Sequence, residues 1–366
     1  MVRALARVNV AAIERNAARL RRGLEPGAAL CAVVKADGYG HGATQAARAA
    51  LAGGATWLGV ATAQEAAALR ADGVGARVLV MGALSPEELD VALRADADVV
   101  AWTPGFAEAL AGRRARAHVK LDTGMGRLGT RDPAEATAVA ERLAAADGVS
   151  LVGLMTHFAT ADEPDDPFLG EQLARFRAWA LPLRARHADL VMHAANSAAT
   201  LREPASHLDL VRAGIALYGL DPFHEDGAAR GLEPALELVS YVAAVKDAAP
   251  GETAGYGRRW RAERPTTLAT IPVGYGDGVR RGLTNNAEVA IGGRRFPLVG
   301  TVSMDNVTVD LGRGGGGVAV GDEAVLIGAG ITAEALARRL DTISYEVVCG
   351  LGPRVPREHH SDGAPA

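Results

Sequence analysis

The sequence predicts an α/β protein, a (β/α)8 TIM barrel followed by a mostly-β C-terminal domain. Three observations point there. Short apolar runs alternate with helical patterns from residue 8 to about residue 220, and strands buried on both faces of a parallel sheet read as such runs. Eight of these repeats in roughly 210 residues suit a barrel of this kind, although the pattern leaves a doubly wound open sheet as an alternative. Beyond about residue 230, short strands are separated by glycine-rich turns, and only residues 332–340 carry helical spacing. The expected domains are therefore 8–230 and 231–366, with residues 1–8 pairing onto the second.

Taken in order, the barrel strands are expected at 30–36, 57–61, 77–81, 98–102, 117–121, 149–156, 190–194 and 208–212. Helices are expected between them, at 42–51, 63–71, after Pro104, at 133–146 and at 168–184. The helix after the third strand has the plainest start. Ser85 stands at the N-cap, Pro86 at the first position, and Glu87 and Glu88 in the first turn. In the second domain, strands are expected at 236–245, 267–272, 288–291, 307–311 and 323–327. The run Arg313-Gly314-Gly315-Gly316-Gly317 reads as a flexible surface loop rather than a phosphate cradle, because no helix follows it.

Composition narrows the function classes. The formal net charge is -4 and the charged fraction 22%, so there is no basic footprint for nucleic acid. No run approaches the roughly 18 apolar residues of a membrane span, and the start of the chain lacks the apolar core of a signal peptide. A cytoplasmic enzyme is expected. The two cysteines, Cys31 and Cys349, are too few for a disulfide framework or a zinc site. Both lie in apolar runs and are expected as buried free thiols, with no metal site.

Chemistry concentrates at the expected carboxyl ends of the strands, the active face of such barrels. The chain has 39 basic residues, of which only Lys35, Lys120 and Lys246 are lysine. Lys35 ends the first strand in Val33-Val34-Lys35-Ala36-Asp37-Gly38-Tyr39-Gly40-His41-Gly42. Arginine stays charged, whereas a desolvated lysine can lose its proton and attack a carbonyl. Lys35 is thus a candidate Schiff-base residue. Lys120 and Arg127 flank the fifth strand, His157 ends the sixth, Asn196 and Ser197 the seventh, and Arg212, Gly214 and Ile215 the eighth. The last two loops are a recurrent phosphate site in barrels. A Schiff-base lysine beside a phosphate site points to pyridoxal 5'-phosphate.

These motifs, together with Gly255-Tyr256-Gly257 and Ile343-Ser344-Tyr345-Glu346-Val347, occur in the order and spacing of one family. The chain resembles the alanine racemases, of the fold-type III pyridoxal-phosphate class, over nearly its whole length. The resemblance implies that Lys35 carries the cofactor, that Tyr39, Ser197, Gly214, Ile215 and Tyr345 hold its phosphate, and that Arg212, backed by His157, faces its ring nitrogen. It implies that Arg127 meets the substrate carboxylate, and that Lys120 is a position often carbamylated. It further implies a homodimer in which Tyr256, Tyr275 and Met304 reach into the other subunit's site. Lys35 and Tyr256 would then be the two opposed bases of a racemase that interconverts L- and D-alanine and supplies D-alanine for peptidoglycan. A broad-specificity or serine racemase is the nearest alternative, and a lyase or a cofactor carrier on the same barrel the more distant ones. Ser303 and the Cys349-Gly350-Leu351-Gly352 run depart from the commonest family pattern, and Arg258-Arg259-Trp260 is a bulky run beside Tyr256. Taken singly, Tyr256 reads as a packing aromatic, His157 as a satisfied core histidine and Met304 as filler. His41, His193 and His224 read as structural or surface residues.

Overall fold

In the computed structural model, which describes residues 2–328 and 330–366, the chain forms two compact units. One is Ile13–Leu217; the other combines Met1–Ala12 with Tyr218–Ala366.

Among the described residues of the first unit, eight parallel strands form one sheet. They are Ala29–Val33, Trp57–Val60, Arg77–Val80, Asp98–Ala101, Ala115–Lys120, Val149–Met155, Val191–His193 and Leu210–Ala213. Each pairs with the next up to Val191–His193, and the last pairs with the first, Cys31 opposite Arg212. The remaining seam is bridged by the Asp209 N–H donating to the Met192 carbonyl (3.1 Å) and the Arg212 N–H to the Ala195 carbonyl (2.9 Å). The sheet is a nearly closed barrel. Cys31, Trp57, Leu79, Val100, Met155 and Leu210 pack together as its apolar core. Burying a side chain such as Leu79 stabilises by about 2 kcal/mol.

Between the strands, helices begin where polar caps allow. The Thr62 and Ser85 hydroxyls each accept the backbone N–H three residues on, and Glu65 and Glu88 reach back to the cap N–H groups. These reciprocal bonds satisfy amides that a helix start otherwise leaves unpaired. Thr103 caps the helix Pro104–Leu110 by accepting from Phe106 N–H, and Asp132 caps Pro133–Ala145 by accepting from Ala134 N–H, neither with a reciprocal bond among the described residues.

The second unit carries a sheet of ten strands among the described residues. Leu5–Asn9 lies inside it, antiparallel to Leu236–Tyr241 and parallel to Arg357–Ser361. Several sequence expectations change here. The run 236–245 is two strands, Leu236–Tyr241 and Ala244–Ala248, which pair with different partners. Arg294–Val299 is a strand that Pro297 had hidden; Pro297 is exposed opposite Glu288. A second helix, Ser344–Cys349, follows Ala333–Leu340. Helical turning rather than strand alternation buries Val347 and Val348 and leaves Cys349 exposed, so that thiol is not buried as expected. Cys31 is buried in the barrel. The glycine run Arg313–Gly317 is a tight turn of positive-φ glycines with Gly315 buried beside Thr267, rather than a loose loop. Trp260, in the bulky run after Tyr256, packs against the core of its own unit.

Candidate active site

In the barrel unit, Lys35 follows the end of the first strand and opens a turn of unusual hand. Ala36, Asp37, Gly38 and Tyr39 all have φ between 53° and 60°. Three of the four are not glycine, and the left-handed region costs an L-residue roughly 1–2 kcal/mol. Such strain persists only where surrounding contacts over-determine it. Here the Glu65 carboxylate accepts from Ala36 N–H (2.7 Å), Ala61 N–H (2.8 Å) and Thr62 N–H (3.1 Å). The Asp37 carboxylate accepts from Ala43 N–H (2.9 Å), tying the turn to the next helix. His41 Nδ1 lies 3.1 Å and 2.9 Å from the carbonyls of Gly38 and Tyr39, and so donates to them. Lys35 is half-buried and Tyr39 buried.

Tyr39 and the two last loops meet. Ser197, the first residue of the helix Ser197–Arg202, accepts at Oγ from Gly214 N–H (2.9 Å) and, more weakly, Ala216 N–H (3.4 Å). With both lone pairs engaged, its own O–H is left to donate. Gly214 has no room for a side chain, since a Cβ there would lie 2.4 Å from the Tyr39 hydroxyl. The Ser197 and Tyr39 hydroxyls thus converge beside the glycine backbone, and hydroxyl donors so placed fit a phosphate.

Arg212 is 3% exposed and ringed by acceptors. Its Nη2 donates to the carbonyls of Thr156 (2.8 Å) and Ala194 (2.9 Å) and to His157 Nδ1 (3.2 Å). Its Nη1 donates to His193 Nδ1 (2.9 Å). Burial lowers the Arg212 pKa to about 10, which leaves it a cation at neutral pH. Burial and the surrounding Arg212, Lys120, Arg127 and Lys35 charges push His157 well below the ordinary histidine range, so it is neutral.

Lys120, the last residue of its strand, is buried, and burial with the Arg212 and Arg127 charges lowers its pKa to about 8. Arg127 lies exposed in the following loop. Asp122 shapes that loop by accepting from Gly124 N–H (3.0 Å) and Gly126 N–H (2.9 Å).

Sequence reasoning missed His193, set aside as structural, and with it His118 and Asp98. His193 is a side-chain partner of Arg212, and a histidine inside an otherwise apolar barrel strand was the available signal.

In the second unit, Tyr256 sits on a turn between Gly255 and Gly257. A Cβ on Gly255 would lie 2.7 Å from Thr301 N, and the Thr301 hydroxyl donates to the Tyr256 carbonyl (2.6 Å). The backbone is pinned while the ring is 74% exposed. Tyr275 and Met304 are also exposed, on loops stitched together by Tyr275 N–H to the Ser303 carbonyl (3.0 Å) and Gly276 N–H to the Met304 carbonyl (2.9 Å). Buried Asp277 holds the first loop, accepting from Gly274 N–H (3.0 Å) and from Arg3. The family-variant Ser303 accepts from Asn306 N–H (3.1 Å) and donates to the Asn306 carbonyl (2.8 Å). Tyr345 belongs to this unit as well, in the helix Ser344–Cys349.

Residues 8–222 match the alanine racemase N-terminal domain, and residues 235–359 the alanine racemase C-terminal domain. The chain is 47% identical to the alanine racemase of Frankia casuarinae, over 91% of this chain and 90% of that one. It is 43% identical to the alanine racemase of Symbiobacterium thermophilum, over 98% and 97% of the two chains. Its structure is similar to the crystal structure of alanine racemase from Streptomyces lavendulae, with a TM-score of 0.91 at 38% identity, covering 98% of this chain and 97% of that one. With both halves matched at this level, the chain belongs to the alanine racemase family.

Proposed function

We propose that the protein interconverts L- and D-alanine with pyridoxal 5'-phosphate and two opposed bases. The observation that carries this reading is the likeness to alanine racemases along both units. When bound, the cofactor draws electron density from the substrate Cα and so makes its proton removable. The residues that would hold it are Lys35, covalently, then Tyr39, Ser197, Gly214, Ile215 and Tyr345 at the phosphate, and Arg212 at the ring nitrogen.

The chain's own groups do the proton work. Lys35 takes or returns the Cα proton on one face. Tyr256, brought in by a second copy of the chain, serves the other. A tyrosine titrates near pH ~10 when unperturbed, so Tyr256 needs cations near it to act as a base. Its exposure in a single copy supports a role completed by dimerisation. Arg127 binds the substrate carboxylate. Lys120, carrying a carbamate, would orient Arg127 as an anion; its lowered pKa supports this, because the neutral amine is the form that takes up CO2. Tyr275 and Met304 would bound the pocket against larger side chains. Among the described residues no helix is long and apolar enough to cross a membrane, and we assign the enzyme to the cytoplasm, making D-alanine for peptidoglycan.

The test incubates purified protein with L-alanine or L-serine in heavy water. Deuterium at Cα with accumulation of D-alanine, and little turnover of serine, is the expected result. Equal turnover of serine would widen the substrate class, and release of CO2 would overturn the reading.

A further inference from the structure

Arg212 is the top of a chain of side chains that descends through the barrel. Its Nη1 meets His193 Nδ1 at 2.9 Å. His193 Nε2 meets His118 Nδ1 at 2.9 Å. His118 Nε2 meets the Asp98 carboxylate at 3.2 Å. Asp98 ends the chain, accepting from Arg116 Nε (2.5 Å) and Arg77 Nε (2.8 Å). Both histidines and Asp98 are fully buried. The path runs from the carboxyl end of the eighth strand to Asp98, the first residue of the fourth.

Only one proton arrangement fits. A guanidinium has no acceptor, so His193 Nδ1 must accept and its single proton sits on Nε2. That proton points at His118 Nδ1, which must then accept, so the His118 proton sits on Nε2 and points at Asp98. An extra proton on either ring would set two donors face to face. All the hydrogen bonds therefore run one way, toward an acid that two arginines hold ionised. Burial lowers the pKa of both imidazoles, in agreement with their neutrality. The fold also makes room for the relay. The register of the fifth strand shifts between Ala117 and His118, and a Cβ on Gly153 of the next strand would lie 2.2 Å from His118 Nδ1.

We propose that His118 and Asp98 are positioning residues for Arg212, and that this one-way relay fixes His193 as an acceptor and so holds the guanidinium charged and in one orientation. The protonation pattern stands on the protein alone; its bearing on catalysis rests on the racemase reading.

The test is nitrogen NMR on holoenzyme carrying 15N-histidine at neutral pH. Neutral Nε2–H rings are expected for both His118 and His193. An Nδ1–H tautomer or an imidazolium at either overturns the proposal, whether or not any variant folds. Racemisation kinetics test the functional half. His118→Leu is expected to lower kcat on the order of tenfold, the scale at which orienting partners act in metal sites, with KM for alanine unchanged. His118→Gln, which offers an oxygen upward and an N–H downward, is expected to recover most of it. A folded His118→Leu enzyme with native kcat overturns the positioning role. Native protein with the stated tautomers but no racemisation leaves the relay standing and removes the racemase reading instead.

Discussion

Arg212 and Lys120 show how two buried cations in one barrel are given different characters. Arg212 has four acceptors and keeps its charge; Lys120 is pushed toward neutrality. An acid at position 212 would protonate the cofactor ring and deepen its pull on electrons, so we expect Arg212→Glu to show a long-wavelength absorbance during turnover and slower racemisation. An unchanged spectrum with racemisation intact would contradict the role given to Arg212. Lys120 makes a pH prediction. Its folded pKa of about 8 lies below the ordinary 10.5, so below pH 8 both states are protonated and the folded state carries the whole penalty of the buried charge. Between pH 8 and 10.5 the unfolded state binds more protons, and stability rises with pH. Lys120→Met should therefore melt above the native protein at pH 7, with the gap closing toward pH 10, and added bicarbonate should shrink the gap by forming the carbamate. A gap independent of pH and bicarbonate in paired melts would refute this. The lysine was legible in the sequence because the chain otherwise uses arginine. His193 and His118 were not, because their meaning lies in a contact between residues 75 apart.

The turn after Lys35 is the element on which the site depends most. Its glycines were visible in the sequence, but its hand was not, because Ala36 is held at φ 53° partly by Glu65, 29 residues away. Removing strain and removing its support should act in opposite directions. Ala36→Gly is expected to raise stability by about 1 kcal/mol, read as a higher Tm. Glu65→Ala strips the acceptor from three backbone N–H groups and should cost about 1–2 kcal/mol, with a fall in kcat as Lys35 loses its fixed base. If both variants shift Tm the same way, the turn is not strained as described. The barrel strands themselves were legible because each is a short apolar run between turns. In the second unit Arg294–Val299 and Arg357–Ser361 were not, since a proline and polar residues broke the apolar pattern there.

For the whole molecule, a site shared between two copies makes a sharp prediction. Lys35→Ala and Tyr256→Phe should each be inactive alone. Unfolded together and refolded as a mixture, they should recover about a quarter of native activity, because half of randomly paired dimers hold one intact site out of two. No recovery, with dimers present by sedimentation, would mean that Lys35 and Tyr256 act within one copy. The second unit also has a history written into its order along the chain. Leu5–Asn9 is flanked on one side by Leu236–Tyr241 and on the other by Arg357–Ser361. During synthesis Leu5–Asn9 is made before the entire barrel and Leu236–Tyr241 after it, so this strand waits through the making of the barrel for its first neighbour. It waits longer still, until Arg357–Ser361 has been made, before its second edge is covered. Until then an alternating strand with open edges is exposed to other chains. The making of Arg357–Ser361 sets the moment at which that hazard ends.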